Sequence, residues 1–223
     1  LLYKENILEE NYIQDYIVYS KREIDAMIKI CNQTILDFKG LSLIDYEGGT
    51  NLTIFTTFEE FGSLRNFCLK ARNQVKFDNT ARQIILAGIS YGMMILHQNN
   101  MIHRDFKPDN VLINKDMHPN IGDFGLSKDV NPMNSFIQSV FCGTKEYMAP
   151  GIFTSSNGLY DRKVDVYAFA ISNFEIIFAQ RAYPDIKKIQ NNLKDLVPNG
   201  LRPDIKKSTN FSCSNKAVYQ KLN

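Results

Sequence analysis

Four cysteines, at positions 31, 68, 142 and 213, are all that the 223-residue chain offers for cross-linking, and no two form a Cys-x-x-Cys pair. That scatter disfavours a structural zinc site and fits reduced thiols in a cytosolic protein. An excess of one charge is also missing: 26 basic and 24 acidic side chains leave a formal net charge of +2. Nothing in that balance points to a nucleic-acid or membrane-surface protein. Long apolar runs are absent as well. The most apolar window, VDVYAFAISNFEIIFA at 164–179, is too short for a membrane span and carries Asp165, Asn173 and Glu175. No signal peptide is visible in LLYKENILEEN, which is charged from its fourth residue. Repeats and low-complexity tracts are lacking too. The chain begins with leucine, which suggests a piece of something longer.

What is present is ordinary globular material, 44% hydrophobic and 22% charged. A chain of this length buries roughly 70% of its unfolded surface, enough for a core without disulfides or metal. SKREIDAMIKIC (20–31) places Ile24, Met27, Ile28 and Cys31 at helical spacing behind Ser20. GLSLIDYEGGTNLTIFTTF (40–58) reads as two strands around a Gly48-Gly49 turn. DNTARQIILAGISYGMMILHQ (78–98) predicts a long helix capped by Asp78 or Asn79, with an apolar stripe through Ile84, Ile85, Ile89, Met93 and Leu96. Short strands are expected at 110–114 and 119–124, and a buried helix from Asp161 to Phe178. A small strand-and-helix part followed by a mostly helical part suggests two lobes.

Charge is concentrated in one place. NMIHRDFKPDN (100–110) follows two apolar residues with His103, Arg104, Asp105, Lys107, Asp109 and Asn110. Unpaired charge is costly to bury, so such a stretch is either a solvated loop or a working site. GDFGLS (122–127) adds Asp123 across the predicted strand pair, which would bring both loops to one end. Phosphoryl transfer needs this inventory: a carboxylate for the attacking hydroxyl, a cation for the moving phosphoryl group, and oxygen ligands for magnesium.

HRDFKPDN and DFG, 18 residues apart from Asp105 to Asp123, resemble the catalytic and metal-binding loops of eukaryotic protein kinases. GTKEYMAP (143–150) resembles that family's substrate-docking segment, and DVYAFA (165–170) the start of its anchoring helix. The resemblance implies an α+β, bilobal protein-kinase-like fold. Residues 1–58 would form a partial N-lobe lacking the glycine-rich-loop strands, and 59–223 a C-lobe incomplete at its end. It implies Asp105 as catalytic base, Lys107 as phosphate-facing cation, and Asn110 and Asp123 as ligands of Mg2+. His103 and Phe124 would join Met27 and Phe38 in an internal apolar column, His103 being a core residue and not a base. Around ATP, Glu23 would pair with a strand lysine, for which Lys4 is the candidate, with a loop at 5–19 between them. Thr56 would guard the adenine pocket, and the connector that includes Thr57 and Glu59 would offer its backbone.

Lys107 with Thr144 follows the serine/threonine pattern, whereas TIFTTFEEFGSL resembles the tyrosine-kinase-like group, most of whose members phosphorylate Ser and Thr. Arg104 has two readings, a bond to nearby backbone or an anchor for a phosphate on segment 123–151. Ser135 and Ser139 are the candidate sites, modified by an activating kinase or by autophosphorylation. The expected partners are protein substrates of intracellular signalling.

Three features depart from the family's pattern. No Gly-x-Gly-x-x-Gly occurs, Lys4 stands 19 residues from Glu23, and Ala-Pro-Glu is here Ala149-Pro150-Gly151. They suggest truncation at both ends and keep a second reading open: a pseudokinase acting as a binding module. A third class, the small-molecule kinases of related fold, lacks a GTKEYMAP segment.

Overall fold

The structure is a computed structural model that describes residues 10–49, 51–71, 78–130, 137–138, 142–155 and 158–205. Lys4, Ser135, Ser139 and Cys213 lie outside the described residues.

Helix α1 runs from Glu10 to Lys29, ten residues longer towards the N-terminus than the pattern behind Ser20 predicts. Ser20 is therefore not its cap but a buried residue inside it, and residues 10–19 are helix where a loop was expected. The physical reason is legible afterwards. Residues 10–29 contain neither glycine nor proline, and Ile13 and Ile17 extend the helical spacing of Ile24 and Met27. Met27 is buried, but Ile28 is exposed and Cys31 lies beyond the helix end.

Strands β1 (Phe38–Ser42) and β2 (Thr53–Thr56) form the expected antiparallel hairpin, with Leu41 opposite Ile54. Its turn is organised by Asp45. The carboxylate accepts the backbone N–H groups of Glu47 and Gly49 and, at 2.6 Å, the side-chain amide of Asn51. The Asn51 bond, followed by that of Gly49, holds the Asp45 carboxyl below its usual range.

Helix α2 (Leu64–Ala71) leads to α3 (Asn79–Gln98), whose N-cap is Asp78: its carboxylate accepts the Ala81 N–H at 2.8 Å. Along the predicted stripe Ile85, Ile89, Met93 and Leu96 are buried, whereas Ile84 is at the surface. Gly88 and Gly92, one turn apart, let this helix lie directly on the strand Pro119–Ile121. A Cβ at Gly88 would meet the Pro119 ring at 2.6 Å, and one at Gly92 would meet Ile121 at 2.8 Å.

Three antiparallel pairs then frame the middle of the chain: β3 (Met101–Ile102) with β6 (Lys128–Asp129), β4 (Val111–Ile113) with β5 (Pro119–Ile121), and β7 (Ile137–Gln138) with β8 (Leu159–Tyr160). Short α4 (Pro150–Thr154) precedes α5 (Lys163–Phe178), and α6 (Ile186–Ile189) and α7 (Leu193–Leu196) follow. Helix α5 is apolar nearly all round, with Ile171, Phe174 and Ile176 buried in the main core beside Leu64, Ile85 and Ile121. Of its polar side chains Lys163 is exposed and Asn173 half-buried, whereas Asp165, Ser172 and Glu175 are buried, so each of these three must find partners. No described helix is long and apolar enough to cross a membrane.

Candidate active site

The charged part of the stretch, from His103 to Asn110, begins where β3 ends. Strand β4 leaves from its far end and β5 returns, so the two candidate loops meet as the pairing predicts. The Gly122 N–H donates to the Asn110 carbonyl at 2.9 Å. Phe106, Phe124 and His103 are almost wholly buried and pack ring to ring, His103 lying 5.9 Å from Phe106 and 5.2 Å from Phe124. Met27 and Phe38 belong to the same cluster, Phe38 at its edge. The His103 ring lies 3.1 Å from the Gly122 carbonyl through Nε2, which makes it a satisfied core histidine.

On this floor the polar groups converge. The Asp105 carboxylate accepts Lys107 Nζ at 2.5 Å on Oδ2 and the Thr144 N–H at 2.7 Å on Oδ1. Lys107 Nζ also donates to Thr144 Oγ1 at 2.9 Å, tying the Asp105–Lys107 pair to the GTKEYMAP segment. The Asn110 side-chain amide donates to the Asp105 carbonyl at 2.9 Å. Its nitrogen is thereby committed to Asp105, and its oxygen is the atom suited to a cation. Asp123 is exposed and follows Gly122 directly, so its position is fixed by the Gly122 bonds to Asn110 and His103.

Two non-glycine residues here adopt the left-handed region, Arg104 at φ 68° and Asp123 at φ 59°. Such strain persists only where surroundings over-determine it, and it clusters at functional sites. The surroundings of Arg104 are clear. Its N–H donates to Asp165 Oδ1 at 2.9 Å, and the His103 N–H donates to Asp165 Oδ2 at 2.8 Å. His97 Nε2 lies 3.0 Å from the same oxygen. One buried carboxylate at the start of α5 thus pins the backbone that presents Asp105. Gly143 sits opposite at φ 105°, where an added Cβ would come within 2.7 Å of the Arg104 carbonyl.

The remaining expected residues are spread around this centre. Glu23, on α1, is drawn close enough to Asp123 that burial first, and the Asp123 charge second, raise its carboxyl above the usual range. Thr56 closes β2 opposite Phe38, and its hydroxyl donates to the Thr57 carbonyl at 3.4 Å. The Thr57 N–H is engaged by the Asp37 carbonyl at 3.0 Å. Glu59 turns its carboxylate inward to accept the Asn120 amide at 3.0 Å, while its carbonyl accepts the Gly62 N–H. Burial, then the neighbouring Glu60, raises the Glu59 carboxyl.

Sequence reasoning passed over several groups. Asp165 carried a visible signal, a lone acid in the first turn of an apolar helix. Arg104 proves to donate Nε to the Leu126 carbonyl at 2.5 Å, the backbone bond of its simpler reading. Lys128 stands near enough to Arg104 and Arg22 that burial, then their charges, lower its ammonium pKa. Arg65, on α2, is bound to Asp109, Glu175 and Tyr147, and nothing local to it in the sequence announces this.

The model of the family described as protein kinase domain matches residues 5–221. The RGS domain-containing serine/threonine-protein kinase A of Dictyostelium discoideum is 39% identical over 154 residues, which is 69% of this chain and 13% of that protein. Serine/threonine-protein kinase STY17 of Arabidopsis thaliana is 30% identical over 188 residues, 84% of this chain and 31% of its own length. The Pelle-like serine/threonine-protein kinase pik-1 of Caenorhabditis elegans is 31% identical over 196 residues, 84% of this chain and 39% of its own. The chain thus spans well under half the length of these curated relatives. With a family match along nearly its whole length and an α+β architecture to suit, the chain belongs to the protein kinase domain family.

Proposed function

We propose that this domain transfers the γ-phosphoryl group of ATP to serine and threonine hydroxyls of protein substrates. The observation that carries this reading is the Asp105–Lys107–Thr144 triangle, which joins a base, a cation and the docking segment within hydrogen-bond distance. An acceptor hydroxyl at Asp105 gives its proton to the carboxylate as its oxygen bonds to the γ-phosphorus. The bond from that phosphorus to the bridging oxygen breaks, and ADP leaves with the electron pair. Lys107 offsets the charge that develops on the phosphoryl oxygens.

The Asn110 amide oxygen and the Asp123 carboxylate are hard donors that suit magnesium. The described residues hold no cluster of three or more His, Cys, Asp or Glu, so phosphate oxygens would complete the ion's shell. Magnesium would supply charge neutralisation at the phosphates. Glu23 is the acid for a nucleotide-binding lysine, with Lys4 the candidate, and the 56–59 connector faces adenine. We place the lobe boundary between residues 58 and 59. The segment TIFTTFEEFGSL favours the tyrosine-kinase-like group, and the reduced thiols and ATP requirement favour the cytoplasm. Arg104 with Lys128 and Arg22 forms a cationic ground for a phosphate on the activation segment, placed at Ser135 or Ser139 by an activating kinase or by the chain itself.

The test follows transfer of labelled phosphate from Mg-ATP to casein, comparing the chain with Asp105→Asn. Transfer should fall by roughly 10³-fold while the unfolding midpoint hardly changes. Asp123→Ala should in addition lose magnesium-dependent ATP binding. Equal transfer by both forms would remove Asp105 from the chemistry. No transfer by the parent, with Mg-ATP still bound, would favour the pseudokinase reading.

A further inference from the structure

Arg65 stands outside every motif, yet it meets three other parts of the chain. Its Nε donates to both carboxylate oxygens of Asp109 at 2.7 Å, just beyond the catalytic lysine. One terminal nitrogen donates to Glu175 Oε2 of α5 at 3.0 Å, and the other to the hydroxyl of Tyr147 in the docking segment. That hydroxyl in turn donates to Glu175 Oε2 at 2.9 Å, and Glu175 Oε1 accepts the Ala182 N–H at 2.9 Å. Only 11% of the Arg65 side chain is exposed, and 9% of the Glu175 side chain. Burial opposes the charge, but Glu175, Tyr147 and the bond to Asp109 together drive the Arg65 pKa further up and keep the guanidinium charged.

We propose that Arg65 is a positioning residue for the protein substrate: it clamps the docking segment, through Tyr147, to the catalytic loop, through Asp109. The chemistry requires arginine. A planar fork reaches three acceptors in fixed directions, whereas a lysine ammonium is a single point and spans one or two of them. The clamp acts where the acceptor chain must lie, between Thr144 and Tyr147 on one side and Lys107 and Asp109 on the other. It touches none of the groups expected around the nucleotide. Loss of the clamp should therefore weaken engagement of the acceptor and leave nucleotide handling alone.

The kinetic arm of the test rests on the kinase reading, whereas the exchange arm does not. Two gentle variants keep the fold within reach: Arg65→Lys retains the buried charge, and Tyr147→Phe removes one hydroxyl. Amide hydrogen exchange should rise in segment 142–150 for both and stay unchanged in α3. With casein as acceptor, the KM for casein should rise about tenfold, or 1.4 kcal/mol, while the KM for ATP and acceptor-independent ATP hydrolysis stay within about twofold. The double variant should be no worse than the worse single one, because both break the same link. Unchanged exchange at 142–150 in both variants would overturn the proposal whatever the kinetics. So would a loss of ATP hydrolysis in step with casein transfer, which marks a general structural defect. A parent that transfers nothing would count against the kinase activity, and the exchange pattern would then decide the clamp alone.

Discussion

The loops around Asp105 and the hairpin β1–β2 are both built on two-stranded antiparallel pairs, and they are finished very differently. In the first, Asp105, Lys107, Asn110 and Asp165 are paired through bonds that reach across the chain, some spanning 60 residues or more. In the second, Leu41, Leu43, Ile44, Tyr46, Phe55 and Phe58 all stand exposed, Tyr46 by 90% and Phe58 by 81%. The difference teaches where the described structure specifies function most tightly. The side that would receive the acceptor hydroxyl is over-determined. The side that would receive adenine is a hairpin that packs Phe38 and Ile54 against the core but leaves those six apolar side chains exposed, and an exposed apolar face of that kind invites association.

Breaking the better-tied region should cost most. Asp165→Ala leaves the His103 and Arg104 N–H groups without their acceptor, and it should remove about 3 kcal/mol from a denaturant-unfolding curve. Labelled-phosphate transfer should drop roughly 100-fold with it, because Arg104 loses what holds its left-handed backbone. Full stability in this variant would show that the loop is held some other way.

A pair of glycine substitutions sharpens the contrast at a smaller scale. Gly143→Ala forces a Cβ towards the Arg104 carbonyl at positive φ, and thermal unfolding should report a loss of about 2 kcal/mol. Gly151→Ala, by contrast, meets nothing within 4 Å on α4 and should be neutral or gain up to about 1 kcal/mol. Equal losses at both positions would mean that the close approach at Gly143 is not what matters.

The smallest effect on stability belongs to the hairpin. Leu43→Lys combined with Phe58→Ser should shift unfolding by no more than about 0.5 kcal/mol, since neither side chain is buried. Light scattering should nevertheless show less self-association. A large destabilisation would reveal a packing role that the exposure of these residues does not suggest.

Local chemistry made several elements legible in advance. The Asp78 cap, the Gly48-Gly49 hairpin and the paired strands around Asn110 each follow from a few neighbouring residues, because caps, turns and alternation act over short range. The start of α1 was harder to read, because a helix without a breaker continues until its contacts run out, and a serine inside it mimics a cap. Ile84 and Ile28 kept the period of a stripe but lay at its margin, where only the packed neighbours decide what is covered.

The sequence alone determined the proposed catalytic inventory, Asp105, Lys107, Asn110 and Asp123, because their types and order are written close together around one strand pair. Tertiary structure decided what holds that inventory in place. Asp165 meets His103 and Arg104 across about 60 residues, and Arg65 reaches Tyr147 and Glu175 across 82 and 110. Such partners cannot be inferred from spacing. They are selected by the requirement that each buried charge find hydrogen-bond partners or an opposite charge, and that requirement is met only as distant parts of the chain pack together.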